Sequence, residues 1–482
     1  MNQSRRDFLV RTTCATLSAA AFQGAVRQFG LANLFASQNT ITPNYRALVC
    51  VFLNGGNDSN NMVIPTDAVG YGNYSAVRSG PGLAIPQGTI LPINNPPSMG
   101  GLTFGFHPNM VEMQSLFNTN KLAVVSNVGP LVEPMTQAQY MANSVPKPYA
   151  LFSHSDQVQA FQSGRSDIKI ATGWGGRAAD AIATCNAGAN GFPTITSISG
   201  ASTFCIGLKR PLSIGTGSLT SVLVLNGFTG TGSTERRASM DFLRTIDNTA
   251  AMINAASQTT QQAVDISAAF QTDPVISTVF PNTGLANQLK QVAKVIKLNQ
   301  TSAAVNLQRQ IFFVSQGGYD THQDQIADQG NNFLELSQAL GAFYNATLEL
   351  GLQDKITTFT LSDFGRTLEP SGSGGSVGSD HGWGSHYFVM GDGVTGGNFY
   401  GTPNGSTGSI FPTLVKGGPD DTTSSPSNGR GRWIPTTGSD QYGATLAKWF
   451  GVAALDMGSV FPLKDNFPTL DLGFMAPPPG GC

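Results

Sequence analysis

Short apolar runs, each ending in a polar, glycine-rich loop and followed by a helix-like pattern, recur along this chain. Arg46–Leu53 runs into Asn54–Asp58, Lys121–Val125 into Ser126–Gly129, Gln310–Val314 into Gly317–His322, and Ile356–Leu361 into Ser362–Arg366. Runs apolar at consecutive positions suit strands buried on both faces, as in a parallel sheet covered by helices. Between the last two runs, Phe333, Leu336, Leu340, Phe343 and Thr347 recur at three- and four-residue steps, which predicts a helix with one buried face. Leu285, Leu289, Val292, Val295 and Ile296 mark another over about 281–299, and helical spacing also covers about 236–265. The expected fold is α/β: a doubly wound, largely parallel sheet whose loops open at the carboxyl ends of its strands, where such sheets place ligands. Gly, Ser and Thr dominate about 185–233 and about 395–435, which predicts loops or small β insertions decorating the sheet.

Composition narrows the partners. Charged residues are 12% of the 482, about half the roughly 25% usual in soluble domains, and 27 basic side chains stand against 29 acidic ones. No basic run is present to neutralise a phosphate backbone, so no nucleic-acid partner is expected. Ser4-Arg5-Arg6-Asp7-Phe8-Leu9 matches the twin-arginine export pattern, and Thr12–Phe22 behind it is too short and polar to cross a bilayer. The expectation is a signal peptide over 1–36, cut after Ala36, and a single domain over 37–482. The protein is then periplasmic or secreted, has no transmembrane segment, and meets the twin-arginine translocase during export. Beyond Cys14, the cysteines Cys50, Cys185, Cys205 and Cys482 show no two-residue spacing of a zinc knuckle or redox motif. Cys185 and Cys205 read equally well as a disulfide or as two buried thiols.

Histidine is scarce, and its placement is informative. Of five, His154 lies in Ser153-His154-Ser155-Asp156, His322 in Asp320-Thr321-His322, and His381 and His386 in Asp380-His381-Gly382-Trp383-Gly384-Ser385-His386. The fifth, His107, precedes Pro108 at an expected helix start. Asp320 and His322 are two apart, so an extended segment turns both to one side and toward one cation. Asp380 and His381 are adjacent and diverge, which suits neighbouring ions, or one ligand plus an outer partner. The competing reading is of histidines hydrogen-bonded to carboxylates in tight loops.

These segments resemble the DUF1501 family of exported bacterial proteins, placed in the alkaline phosphatase and sulfatase superfamily. The resemblance rests on Ser4–Leu9, Leu53–Asp58 with Asn61–Pro65, His107-Pro108, Ser153-His154, Gly318–His322, Ser362–Thr367 and Asp380–Gly384. It implies two divalent ions at the carboxyl edge of the sheet, with Asp58, Asp320, His322, Asp380, His381 and His386 as metal ligands. It also implies Ser153 as a hydroxyl nucleophile at a helix start, in a segment ending near Gly164. Histidine and aspartate ligands without cysteine favour zinc, with manganese, magnesium or calcium as alternatives. Arg366 either receives an anion bidentately or braces Asp363. The implied function is an exported metal-dependent hydrolase of phosphate or sulfate esters; the alternative is a non-catalytic exported binding or assembly protein on the same fold.

Overall fold

All eight residues of Arg46–Leu53 are buried, and alternate side chains enter opposite sides of one sheet. Ala47, Val49, Val51 and Leu53 join one hydrophobic cluster, and Leu48, Cys50 and Phe52 join another. The structure, a computed structural model, describes residues 44–187, 191–221, 231–246 and 250–477. The expected signal peptide 1–36, Cys14 and Cys482 lie outside them.

The described strands are, in order, β1 (Arg46–Leu53), β2 (Val63–Pro65), β3 (Leu91–Pro92), β4 (Phe104–Phe106), β5 (Leu122–Gly129), β6 (Ile195–Ser197) and β7 (Leu212–Ser213). There follow β8 (Arg309–Gln316), β9 (Ile356–Ser362), β10 (Arg366–Ser371), β11 (Gly378–His381), β12 (Ser385–Met390), β13 (Phe399–Tyr400) and β14 (Thr437–Gly438). Nine form the main sheet in the order β13-β5-β12-β9-β1-β8-β6-β7, with β14 also on β5. β1 is parallel to β8 and β9, whereas β12 is antiparallel to both β9 and β5. β5 therefore runs with β1, as do the short edge strands, and β12 alone among these nine opposes the rest. The four apolar runs of the sequence are β1, β5, β8 and β9, and their carboxyl ends share one edge.

Two differences from the sequence expectations have simple causes. β5 continues through the expected loop to Gly129, because β12 and β14 pair with Val128 and Gly129 and satisfy its backbone there. The Gly/Ser/Thr-rich stretches, expected as decoration, supply β6 and β7 at one edge of the sheet and β13 at the other. Such short edge strands need few apolar positions.

Helices cover both faces. Val111–Asn118, Gly284–Thr301 and Gln325–Glu349 pack on the Val49 side, and His154–Ser163, Trp174–Ala181 and Ser439–Phe450 on the Cys50 side. Every apolar position that marked the helices at 281–299 and between β8 and β9 is buried. The 236–265 pattern divides into Ser233–Ile246 and Ala251–Ala269, and the first buries none of its residues. Cys185 is disulfide-bonded while Cys205 is a free buried thiol, so the bridge between those two is not formed.

Two histidines are core residues. His386, expected as the last metal ligand, faces inward from β12, whose residues are all buried. Its Nδ1 accepts the Asn127 N–H at 3.1 Å, and its ring stacks 4.5 Å from Phe411. Burial pushes its pKa down to about 3. His107 packs edge-on against Phe333, and burial lowers its pKa to about 4. Both rings are neutral when folded and take up protons near pH 6.5 when unfolded, so stability is full above about pH 6.5 and falls as the pH drops toward 4 and 3. The loss is at most about 1.4 kcal/mol per pH unit per histidine. Urea midpoints are expected to fall between pH 7 and pH 5, and to fall less in His386→Phe; an identical slope in the two proteins would contradict this placement.

Candidate metal centre

Beyond the carboxyl edge of the sheet, segments distant in sequence bring their histidines to one point. Asp320 and His322 lie just past β8, Asp363 follows β9, His381 ends β11, and His154 is the first residue of helix His154–Ser163. The Nε2 atoms of His154 and His381 are 3.0 Å apart, and those of His322 and His381 are 2.9 Å apart. Asp320 Oδ1 lies 3.4 Å from His154 Nε2, 3.1 Å from His322 Nε2 and 3.7 Å from His381 Nε2. Two triangles of donors thus share the Asp320–His381 edge. A tetrahedral zinc site with bonds of about 2.0–2.1 Å has ligand-to-ligand edges of about 3.3 Å, and the sides of each triangle, 2.9–3.7 Å, lie near that value.

The far side of each ring decides what its Nε2 offers. His381 Nδ1 is 2.7 Å from the Phe152 carbonyl oxygen, which only accepts, so Nδ1 carries the proton. His154 Nδ1 is 2.8 Å from the buried Asp363 carboxylate, with the same consequence, and Asp363 is held by the Gly55 N–H at 3.0 Å. His322 Nδ1 is 3.4 Å from Asp380 Oδ1. When neutral, the rings of His154 and His381 therefore aim bare lone pairs at each other, next to a carboxylate. A proton relieves one such pair; a divalent cation relieves several at once, and outer partners of this kind orient metal-bound histidines.

Charge around the centre follows from these contacts. The Asp363 hydrogen bond raises the His154 pKa, whereas burial and the neighbouring positive groups lower that of His381. Burial pulls Asp320 upward, but the Arg366 guanidinium together with His154 and His322 outweighs it and leaves the carboxyl below its ordinary range. Arg430 does the same for Asp380.

Of the sequence candidates, Asp320, His322 and His381 meet here, with Asp380 behind His322. His386 does not, being in the core. Asp58 is also withdrawn: its fully buried carboxylate pairs with Arg78 Nη1 at 2.6 Å and accepts from Asn60. Arg366 is buried too, and its N–H groups go to the carbonyls of Gly55, Gly56, Tyr319 and Ser379 and to Asp320. It braces Asp320, not Asp363, and its fully buried side chain offers no exposed N–H to an incoming anion. Ser153 is the N-cap of its helix, and its Oγ donates to Asp156 Oδ2 at 2.6 Å. His154, next to it, is the donor not assigned from sequence; its signal was its place in the acid-containing Ser153–Asp156 cluster.

The chain belongs to a family described as protein of unknown function, DUF1501, which it matches over residues 45–409. No curated protein matches its sequence. Among solved structures, it is similar to the zinc complex of the C-terminal periplasmic domain of EptC from Escherichia coli, at 11% identity, covering 74% of this chain and 75% of that one, with a TM-score of 0.28. It is similar to the soluble domain of lipooligosaccharide phosphoethanolamine transferase A from Neisseria meningitidis, at 9% identity, covering 91% and 96%, with a TM-score of 0.34. It is also similar to the PsFucS1 sulfatase from Pseudoalteromonas sp., at 11% identity, covering 78% and 68%, with a TM-score of 0.27.

Zinc affinity, measured by competition with a chromophoric chelator, is expected to collapse in His154→Ala and His381→Ala. In Asp363→Asn it is expected to fall about 10- to 100-fold, the usual cost of losing an outer partner. Asp58→Asn is expected to retain zinc. Equal affinity in the wild type and all three centre variants would contradict the assignment.

Proposed function

We propose that the protein is an exported, zinc-dependent hydrolase of phosphate or sulfate esters. The observation that carries this reading is the convergence of His154, His322 and His381 Nε2 with Asp320 Oδ1 at 2.9–3.7 Å, beside a helix start. Two imidazoles to one carboxylate suit zinc better than magnesium or calcium, which prefer oxygen ligands. His154, Asp320 and His381 hold the ion, and His322 stands on the same edge. Bound there, zinc supplies Lewis-acid polarisation of the ester and lowers the pKa of a nearby hydroxyl.

The chain's own residues do the remainder. Ser153 is the nucleophile, its hydroxyl oriented by Asp156, which takes up the proton as the new bond to phosphorus or sulfur forms and the ester's bridging P–O or S–O bond breaks; the alcohol leaves with a proton from solvent, and water then hydrolyses the seryl ester and restores Ser153. The first free amides of helix His154–Ser163 face the negative charge that develops there. Arg366 holds Asp320, and Asp363 holds His154 in the tautomer that leaves Nε2 bare. The single domain 37–482 reaches the periplasm or the exterior through the twin-arginine translocase. No described helix is long and apolar enough to cross a membrane.

One observation favours the alternative, an exported binding or assembly protein. With Asp58 and His386 withdrawn, the described residues gather one donor set rather than the two implied by the resemblance. A panel of aryl and sugar phosphate and sulfate mono- and diesters, assayed with zinc, manganese, magnesium or calcium, separates the readings. Zinc-supported turnover is expected in the wild type, with at least about a 100-fold loss in Ser153→Ala at unchanged zinc content. A zinc-loaded wild type inert across the panel would overturn the hydrolase reading in favour of binding.

A further inference from the structure

The Arg366 side chain is fully buried, so any anion at the centre needs another receptor. The stretch Gly429-Arg430-Gly431-Arg432 supplies one. It curls round Asp421, whose fully buried carboxylate accepts the backbone N–H groups of Gly417, Thr422, Gly431 and Arg432 at 2.7–3.2 Å. The two glycines are required by this curl. A Cβ on Gly429 would fall 2.7 Å from Asp421 Oδ2, and one on Gly431, where φ is +64°, would fall 2.4 Å from the Leu368 side chain. The intervening arginines reach the metal-centre residues.

Their surroundings differ. Arg430 is neutralised, with Nη2 on Asp380 and Nε 2.8 Å from Glu369. Arg432 has no ion pair among the described residues. Its Nε donates to the His381 carbonyl at 2.9 Å, and its guanidinium carbon lies 4.6 Å from the centre of the Phe152 ring. Phe152 is the residue whose carbonyl fixes His381 Nδ1, and it immediately precedes Ser153. Arg432 is thus locked to the backbone of one proposed ligand and to the ring beside the proposed nucleophile. Asp380 and Asp421 act on its charge from beyond ion-pair distance, and among the described residues its two Nη groups have no acceptor.

We propose that Arg432 is the anion-binding residue of this centre. Its paired Nη groups take two non-bridging oxygens of a tetrahedral oxyanion, phosphate or sulfate, in the fork geometry that a guanidinium offers. The inference takes its ligand class from the ester-hydrolase reading, but its test does not depend on turnover.

The probe is inorganic phosphate, with sulfate as a second arm, titrated calorimetrically into the zinc-loaded full chain. Phosphate affinity is expected to fall about tenfold or more in Arg432→Gln, since a lost pair of charge-assisted bonds is worth at least that factor. Arg432→Lys, which keeps the charge but not the fork, is expected to fall between, and both variants should keep the wild-type zinc content. Wild-type phosphate affinity in zinc-loaded Arg432→Gln would overturn the proposal while leaving the metal centre standing. Absence of phosphate and sulfate binding to the zinc-loaded wild type would overturn it as well. A wild type that takes up no zinc, yet binds phosphate in an Arg432-dependent way, would support Arg432 and remove the metal reading instead.

Discussion

Imidazole Nε2 atoms crowded together, that of His381 3.0 Å from His154 and 2.9 Å from His322 beside a carboxylate, are the constraint around which the carboxyl edge of this protein is arranged. Such an arrangement is repulsive unless positive charge enters it, and it persists only if every ring is fixed from behind. The fold provides the fixing. Asp363, at the end of β9, takes the proton side of His154, and the Phe152 carbonyl takes that of His381. Phe152 has a left-handed backbone, φ +71°, unusual for a bulky residue and costing on the order of 1–3 kcal/mol. Its carbonyl direction is therefore part of the centre's construction.

The buried charges serve the same end by holding the loops. Asp58 and Arg78 form a fully buried ion pair, with Arg78 also donating to the carbonyls of Thr367 and Leu368. Removing one partner of such a pair commonly costs about 3–5 kcal/mol, because the other charge is left stranded. Arg366 ties the loops after β1 and β8 to β11 through backbone carbonyls, and meets Asp320 with its remaining reach. Residues that look like site chemistry in sequence thus split into two groups: those that face the centre, and those that keep its loops in place.

Much of this was legible from residue order. The four apolar runs became parallel-directed strands of one sheet because burial on both faces leaves a plain signal, and the helix between β8 and β9 showed its face at Phe333, Leu336, Leu340 and Phe343. Asp320, His322 and His381 were legible because scarce histidines beside acids at strand ends are conspicuous. What sequence could not show was direction. His386 sits a few residues from His381, yet β12 turns it into the core against Phe411, as the alternation of a strand wholly buried in the sheet allows. His154 was hidden behind its neighbour Ser153, since only the tertiary contact with Asp363 fixes which way its ring points. Arg432 was missed because its loop is built by Asp421, a carboxylate bonded mostly to backbone, which leaves no periodic trace.

The central claim is that these rings bind a metal ion through Nε2. Zinc K-edge X-ray absorption on the zinc-loaded full chain tests it most directly. The account predicts a nitrogen and oxygen shell at about 2.0–2.1 Å, with the multiple-scattering signature of imidazole that weakens in His381→Ala, and no sulfur at about 2.3 Å. A sulfur shell, or a spectrum free of imidazole and unchanged in His381→Ala, would contradict it.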